Sequence, residues 1–295
     1  MKKVICIVGP TASGKTSLSI NLAKEINGEI ISCDSMQVYR DLNIGTAKVT
    51  KEEMQNIPHH LIDVCDIDKT FSAYDYKKLC YEKIEEIISR NKIPIIIGGT
   101  GLYMSAVIKD MDFKDEEIDF KYREELENIA KTKGNIYLHN MLKEVDKISA
   151  NEIHYNNVKR VIRALEMYKL NNTKSKHMEK EKNKEKNNKY DFKLFCIDID
   201  KEMLFSNINK RVDQMISQGL EKEAKLVYTM GNQTCKQAIG YKEFFGYFEK
   251  NKTIEEVIEE IKLRTRQYTK RQLTWFKKMD NIKYIKNIDD IKVNI

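Results

Sequence analysis

Apolar residues along this chain fall into two kinds of run. Val4-Ile5-Cys6-Ile7-Val8, Glu29-Ile30-Ile31-Ser32-Cys33, Pro94-Ile95-Ile96-Ile97 and Leu194-Phe195-Cys196-Ile197-Asp198-Ile199 are short, rich in β-branched residues and nearly unbroken. Strands buried on both faces need that composition, so these runs predict a parallel sheet. Between them apolar residues return at helical spacing. Leu18, Leu22, Ala23 and Ile26 mark a helix behind the first strand. Leu79, Ile84, Ile87 and Ile88 mark another, which Ser72 can cap and Asn91 and Pro94 end. Strands alternating with helices predict an α/β fold.

From Lys114 the pattern changes. Residues 114–190 hold no convincing strand and are heavily charged. Ile118, Tyr122, Leu126 and Ile129 suit one helix, Ile136, Met141, Leu142 and Val145 a second, and Val158, Ile162, Leu165 and Tyr168 a third. Lys174 to Lys189 is almost entirely Lys, Glu and Asn, with little to pack, and is expected to be mobile. The predicted organisation is a sheet domain over 1–113 and 191–295, interrupted by a helical insertion over 114–190. Asn207 to Met230 reads as one helix, with Val212, Met215 and Ile216 on its apolar side and Arg211 elsewhere. Ile261 to Lys278 has seven basic residues and no acidic one, with Ile261, Tyr268 and Trp275 repeating every seventh position as its expected packing side.

Composition narrows the class. The chain has 295 residues, 41% of them hydrophobic, which is enough for a sizeable core. Its net charge of +7 points weakly to a polyanionic partner, whereas the one-signed bias of 261–278 points there more firmly, toward a phosphate backbone. Cys6, Cys33, Cys65, Cys80, Cys196 and Cys235 show no metal-ligand or redox spacing. No apolar run approaches a membrane span, and Met1-Lys2-Lys3 leads straight into the first strand. These features predict a reducing cytoplasm, no structural metal and no membrane.

The candidate chemistry begins at Gly9-Pro10-Thr11-Ala12-Ser13-Gly14-Lys15-Thr16, which fits the phosphate-binding pattern G-x-x-x-x-G-K-[ST] between a predicted strand and a predicted helix. Backbone N–H groups at such a helix start attract an anion, Lys15 adds a mobile positive charge, and the Thr16 hydroxyl can hold Mg²⁺. Asp34 follows the second strand, so it should face the same crevice at the strands' carboxyl ends. It can be a general base, a Mg²⁺ ligand or the cap of its own turn. Gly98-Gly99-Thr100-Gly101 implies close backbone approach to a ligand, a tight turn, or both. Adjacent His59 and His60 face different ways and suit structural roles. Lys159, Arg160 and Arg163 lie off the apolar stripe of the third insertion helix, as a solvated face or an anion contact.

The series GPTASGKT (Gly9 to Thr16), DSMQVYR (Asp34 to Arg40), NIGTAK (Asn43 to Lys48), HHLID (His59 to Asp63), GGTGLY (Gly98 to Tyr103), RVIRALE (Arg160 to Glu166), AIGYKE (Ala238 to Glu243) and TRQYTKRQLTWF (Thr265 to Phe276) resembles the tRNA dimethylallyltransferase family over nearly the whole chain. That resemblance implies a P-loop core with a helical insertion, and transfer of a dimethylallyl group from its diphosphate to the exocyclic amine of the adenosine 3′ to the anticodon. It implies Asp34 as general base with Thr11 beside it, and diphosphate held by Gly9, Pro10, Thr11, Ala12, Ser13, Gly14, Lys15, Thr16, Arg163 and Arg211. Mg²⁺ would sit on Thr16. Asp34, Ser35, Met36, Gln37, Thr100, Arg123, Lys159, Arg160, Val161, Ile162 and Arg163 would meet tRNA. A cytoplasmic monomer is expected. Tyr155 and Asn157 stand where the family usually has proline and aspartate, which leaves that turn and one acidic contact open. A nucleotide or small-molecule kinase, or a tRNA-binding switch that hydrolyses nucleotide, would use the same loop.

Overall fold

In a computed structural model of the chain, which describes residues 1–111, 119–170 and 189–294, the run Val4 to Val8 is wholly buried because it lies at the centre of the sheet. This strand, β1 (Lys2–Val8), precedes α1 (Lys15–Glu25), β2 (Gly28–Ser32), α2 (Lys51–Met54), β3 (His59–His60), α3 (Ala73–Ser89), β4 (Ile93–Gly98) and α4 (Gly101–Ile108). The insertion carries α5 (Phe120–Lys133), α6 (Asn135–Val145), α7 (Lys147–Glu152) and α8 (Val158–Lys169). Then come β5 (Tyr190–Ile197), α9 (Lys201–Ser217), α10 (Leu220–Met230), α11 (Gln233–Lys236), α12 (Phe245–Phe248), α13 (Ile254–Phe276), β6 (Lys283–Ile285) and α14 (Ile288–Lys292).

The strands form one six-stranded sheet in the order β3-β2-β4-β1-β5-β6, with every pair parallel. Side chains alternate across it. Ile5, Ile7, Ile30 and Ile95 pack on one face with Ile20, Leu22 and Ala23 of α1, while Cys6, Val8, Ile31 and Ile96 pack on the other with Tyr76, Cys80, Ile84 and Ile87 of α3. Connections run toward β3 before β4 and toward β6 after it. The carboxyl ends of β1, β2 and β4 therefore open on one crevice, where a ligand of such a sheet binds. All six cysteines are buried and free. No helix among the described residues is long and apolar enough to cross a membrane.

The chain divides into two compact units, Met1–Met111 with Asn188–Ile295, and Asp112–Asn187. In the second, Leu126, Leu138, Leu142, Val161, Ile162 and Leu165 form a separate core. Ile118 and the Lys/Glu/Asn tract up to residue 188 lie outside the described residues.

Several elements differ from their sequence pattern. Strands β3 and β6 have no apolar run because each is short and lies at an edge of the sheet. The helix expected over Asn207 to Met230 is broken at Gly219, whose φ of +96° ends α9 and starts α10. Tyr168, assigned to an apolar face, is 45% exposed. On α13 the buried side is Val257, Ile261, Thr269, Gln272 and Phe276, whereas Trp275 is 39% exposed. The heptad of large residues is misleading here because two buried positions are polar, and periodicity of apolar residues cannot reveal them.

Candidate active site

The loop Gly9 to Thr16 leaves β1 and turns sharply into α1. Gly14 takes a φ of +84° at the N-cap, a conformation glycine adopts without steric cost. No side chain caps α1, so its first N–H groups are left for an anion. Lys15 Nζ folds back onto the Pro10 carbonyl at 2.6 Å and lies 3.5 Å from Ser13 Oγ. Burial, then the neighbouring Arg211 charge, lowers the Lys15 pKa to about 7, although Asp34 and Cys196 pull it the other way. Burial likewise lowers the pKa of Arg211. Two cations crowded into a half-dry site favour a multivalent anion.

Helix α9 supplies Arg211, whose Nη1 donates to Thr11 Oγ1 at 3.0 Å, and Asn207, whose Nδ2 donates to the Ala12 carbonyl at 3.2 Å. Helix α13 supplies Gln272, which is 6% exposed. Its Oε1 accepts from the Thr11 N–H at 3.0 Å and its Nε2 donates to the Gly99 carbonyl at 2.9 Å.

The glycines of Gly98 to Gly101 are explained by crowding within the protein. A Cβ on Gly98 would lie 2.0 Å from the Cys33 carbonyl, one on Gly99 2.2 Å from Gln272 Nε2, and one on Gly101 2.4 Å from the Trp275 ring. None of the three has a positive φ, so a left-handed turn is not the reason for them. They let β2 and α13 approach the end of β4.

Asp34 sits just past β2. Its Oδ1 accepts from the Met36 and Gln37 N–H groups at 2.8 and 3.3 Å, so it does cap its own turn. Among the described residues nothing donates to its Oδ2. Thr100 Oγ1 accepts from Ser35 N at 2.9 Å, and Gln37 Nε2 donates to the Thr46 carbonyl at 3.2 Å. Ser35, Gln37 and Thr100 thus hold the Asp34 loop in place. A cavity of about 500 Å³ joins these parts, lined by Thr11 to Thr16, Asp34, Gln37, Arg211, Tyr268 and Gln272 among others. A carboxylate and two cations facing one crevice at a helix start can bind a diphosphate and accept a proton beside it. Thr16 lines the same cavity, and a hydroxyl beside phosphate oxygens suits the all-oxygen preference of Mg²⁺.

The histidine pair is divided in its roles, with His59 at the cavity wall and His60 not lining it. His60 Nε2 lies 2.7 Å from Glu29 Oε2, and His59 Nδ1 lies 2.8 Å from the Ile57 carbonyl. No group of three His, Cys, Asp or Glu side chains among the described residues could hold a metal ion.

A profile of the IPP transferase family matches residues 37–279. A tRNA dimethylallyltransferase of Bacillus cytotoxicus is 50% identical over 283 residues, 95% of this chain and 89% of that one. The crystal structure of the full-length tRNA isopentenylpyrophosphate transferase from Bacillus halodurans superposes with a TM-score of 0.72 at 42% identity, covering 100% of this chain and 94% of that one. A eukaryotic dimethylallyltransferase, solved in a study of its action on tRNA, superposes with a TM-score of 0.80 at 32% identity, covering 100% of this chain and 76% of that one. The chain belongs to the tRNA dimethylallyltransferase family. It is an enzyme of the transferase class, and its parallel sheet is the P-loop-like core of that family.

The remaining residues that the family resemblance singled out lie in the helical unit. Lys159, Arg160 and Arg163 are exposed on α8. Val161 is 0% exposed and Ile162 4%, both in the core of that unit, so any contact they make with RNA would be through their backbone. Arg123 meets Glu166 in two hydrogen bonds, Nε to Oε1 at 2.7 Å and Nη2 to Oε2 at 2.9 Å, tying α5 to α8. Where the family's proline and aspartate are replaced by Tyr155 and Asn157, the turn still closes, with Asn157 N donating to the His154 carbonyl at 2.8 Å. Sequence reasoning does not mark Asn207, Tyr268 or Gln272 as site residues. Gln272 carries no distinguishing signal, since Thr265, Gln267, Thr269 and Thr274 are equally uncharged and polar on the same helix.

Proposed function

We propose that this enzyme transfers a dimethylallyl group from dimethylallyl diphosphate to the exocyclic amine of the adenosine 3′ to the anticodon of a tRNA, releasing diphosphate. The observation that carries the reading is the shared cavity, in which Asp34 faces the same space as Lys15, Arg211 and the start of α1. The adenine amine is a weak nucleophile because its lone pair is delocalised into the ring. As its nitrogen bonds to the allylic carbon, the C–O bond to diphosphate breaks and the electron pair leaves with the phosphate oxygen. The nitrogen becomes positive, and Asp34 Oδ2 takes its proton. Lys15, Arg211 and the α1 amides bear the charge that grows on the leaving group. Thr16 would hold Mg²⁺, which when bound neutralises part of that charge.

The amine is hidden while the base is stacked, so the adenosine must turn out into the crevice, with Ser35, Met36 and Gln37 at its edge. Exposed cations of α13 and of α8 suit the RNA backbone. Arg123, Lys159, Arg160 and Arg163 as RNA contacts, and Arg163 as a second diphosphate ligand, enter the proposal on the family resemblance. Action as a monomer enters the proposal on the same resemblance, and a tRNA substrate supports a cytoplasmic site of action.

The test is the variant Asp34→Asn, assayed with tRNA and labelled dimethylallyl diphosphate. The turnover number should fall on the order of 10²–10⁴-fold, the range for a lost general base, with both substrates still bound. Recovery of full activity on raising Mg²⁺ would make Asp34 a metal ligand instead. Transfer of label from the γ-position of ATP, with none from the prenyl donor, would make the protein a kinase.

A further inference from the structure

Glu223 lies on α10 and is 8% exposed, yet among the described residues no cation pairs with it. Its Oε2 accepts from the N–H groups of Asn43 and Ile44 at 2.7 and 2.8 Å. Its Oε1 accepts from the N–H of Gly45 at 2.8 Å and from the Tyr241 hydroxyl at 2.7 Å. Three consecutive backbone N–H groups make a nest of the kind that binds anions, and here the protein fills it with its own carboxylate. Gly45 completes the fit, because a Cβ there would lie 2.6 Å from the Tyr241 ring.

The anchored turn leads directly to the site. Thr46 and Ala47 follow it, and their carbonyls accept from Gln37 Nε2 at 3.2 and 3.5 Å. Gln37 Oε1 accepts from Ser32 Oγ at 3.0 Å, and the Gln37 N–H reaches Asp34 Oδ1 at 3.3 Å. Thr46, Ala47, Gln37 and Asp34 all line the cavity. We propose that Glu223 is a positioning residue for the reaction: it fixes the turn 43–45, which through Gln37 sets the direction of the Asp34 carboxylate. This rests on the reading of Asp34 as the base.

In Glu223→Gln one oxygen is replaced by an NH₂ group that faces backbone N–H donors, so about half of the nest is lost. The single-turnover rate constant for prenyl transfer should fall about 10- to 100-fold, on the scale of the charge-assisted hydrogen bonds lost. The KM for the prenyl donor should stay within about twofold, since the P-loop contacts do not pass through 43–47. Amide hydrogen exchange at 43–45 should accelerate. Tyr241→Phe removes one bond and keeps the carboxylate. It should show the same split with a smaller loss, and it serves if Glu223→Gln folds poorly.

Acting through Asp34, Glu223→Gln should cost little more in an Asp34→Asn background. An equal loss in both backgrounds, or a donor KM that rises as far as turnover falls, would reduce Glu223 to a general fold contact. Normal turnover of Glu223→Gln, with Asp34→Asn inactive, would overturn this inference alone. Full activity of Asp34→Asn would overturn the base assignment and this inference with it.

Discussion

Gln272 joins the two glycine loops of the site, accepting from Thr11 N at 3.0 Å and donating to Gly99 O at 2.9 Å from a helix 173 residues beyond the second loop. Replacing it with leucine keeps the bulk but leaves a buried N–H and a buried carbonyl without partners, at a cost of about 1–3 kcal/mol each. Gln272→Leu should therefore lower the melting temperature and raise the donor KM, because the Thr11 amide belongs to the diphosphate loop. An unchanged donor KM in a destabilised protein would limit Gln272 to holding the fold.

Lys15 has a pKa lowered to about 7, so near neutral pH it is only partly charged in the free protein. Diphosphate brings negative charge and should restore full protonation. Above pH 7, binding of the donor or of inorganic diphosphate should take up a proton, and affinity should weaken as pH rises. Calorimetry in two buffers of different ionisation enthalpy reads the uptake directly, and Lys15→Met should abolish it. The sign for stability is opposite to that of a paired lysine. Between pH 7 and its usual value the unfolded chain holds the proton that the folded chain has lost, so this group's contribution to stability rises with pH across that window. Buffer-independent binding enthalpy at pH 8.5 would contradict the lowered value.

The basic face of α13 is smaller than its composition suggests. Lys262 lies 2.9 Å from Asp213 and 3.1 Å from Glu259, and Arg266 donates to Asn209 at 2.8 Å. Lys270, Arg271, Lys277 and Lys278 are exposed. Changing these last four to glutamine should flatten the dependence of log K for tRNA on log salt by up to roughly 0.7–0.9 for each phosphate that is no longer neutralised. Lys262→Gln should leave the slope unchanged, and donor binding should be unaffected in both. A steep slope retained by the fourfold variant would move the RNA-binding surface elsewhere.

Glu29 sits at the opposite end of β2 from Asp34 and is 2% exposed. Burial pushes its pKa up, but Arg90, Lys92 and His60 outweigh that and hold it at about 2. A depressed carboxyl contributes stability above its unfolded value and loses it as pH falls toward 2. Glu29→Gln should cost about 1–3 kcal/mol near neutral pH, since the Arg90 and Lys92 cations it leaves are 44% and 31% exposed and can be solvated. The gap in melting temperature between wild type and variant should narrow steadily below pH 4.5. A gap independent of pH would assign the loss to packing rather than charge.

What the sequence determined by itself is local. Val4 to Val8, the glycine loop and the Leu18–Ile26 pattern lie end to end, so strand, anion site and helix can be read without knowing anything distant. Asp34 was legible for the same reason, since a polar residue at the carboxyl end of a buried parallel strand has one crevice to face. The helical insertion was legible because charged residues without a strand run cannot enter a buried sheet. Tertiary structure alone decided which distant polar groups complete the site. Gln272, Asn207 and Glu223 reach their partners across 261, 195 and 180 residues. A buried hydrogen bond between such residues leaves no periodic trace, because periodicity reports burial of apolar surface and not the pairing of polar groups. The edge strands β3 and β6 and the glycines at the end of β4 belong with them. A two-residue edge strand is defined by its neighbour, and a missing Cβ by the side chain that takes its place.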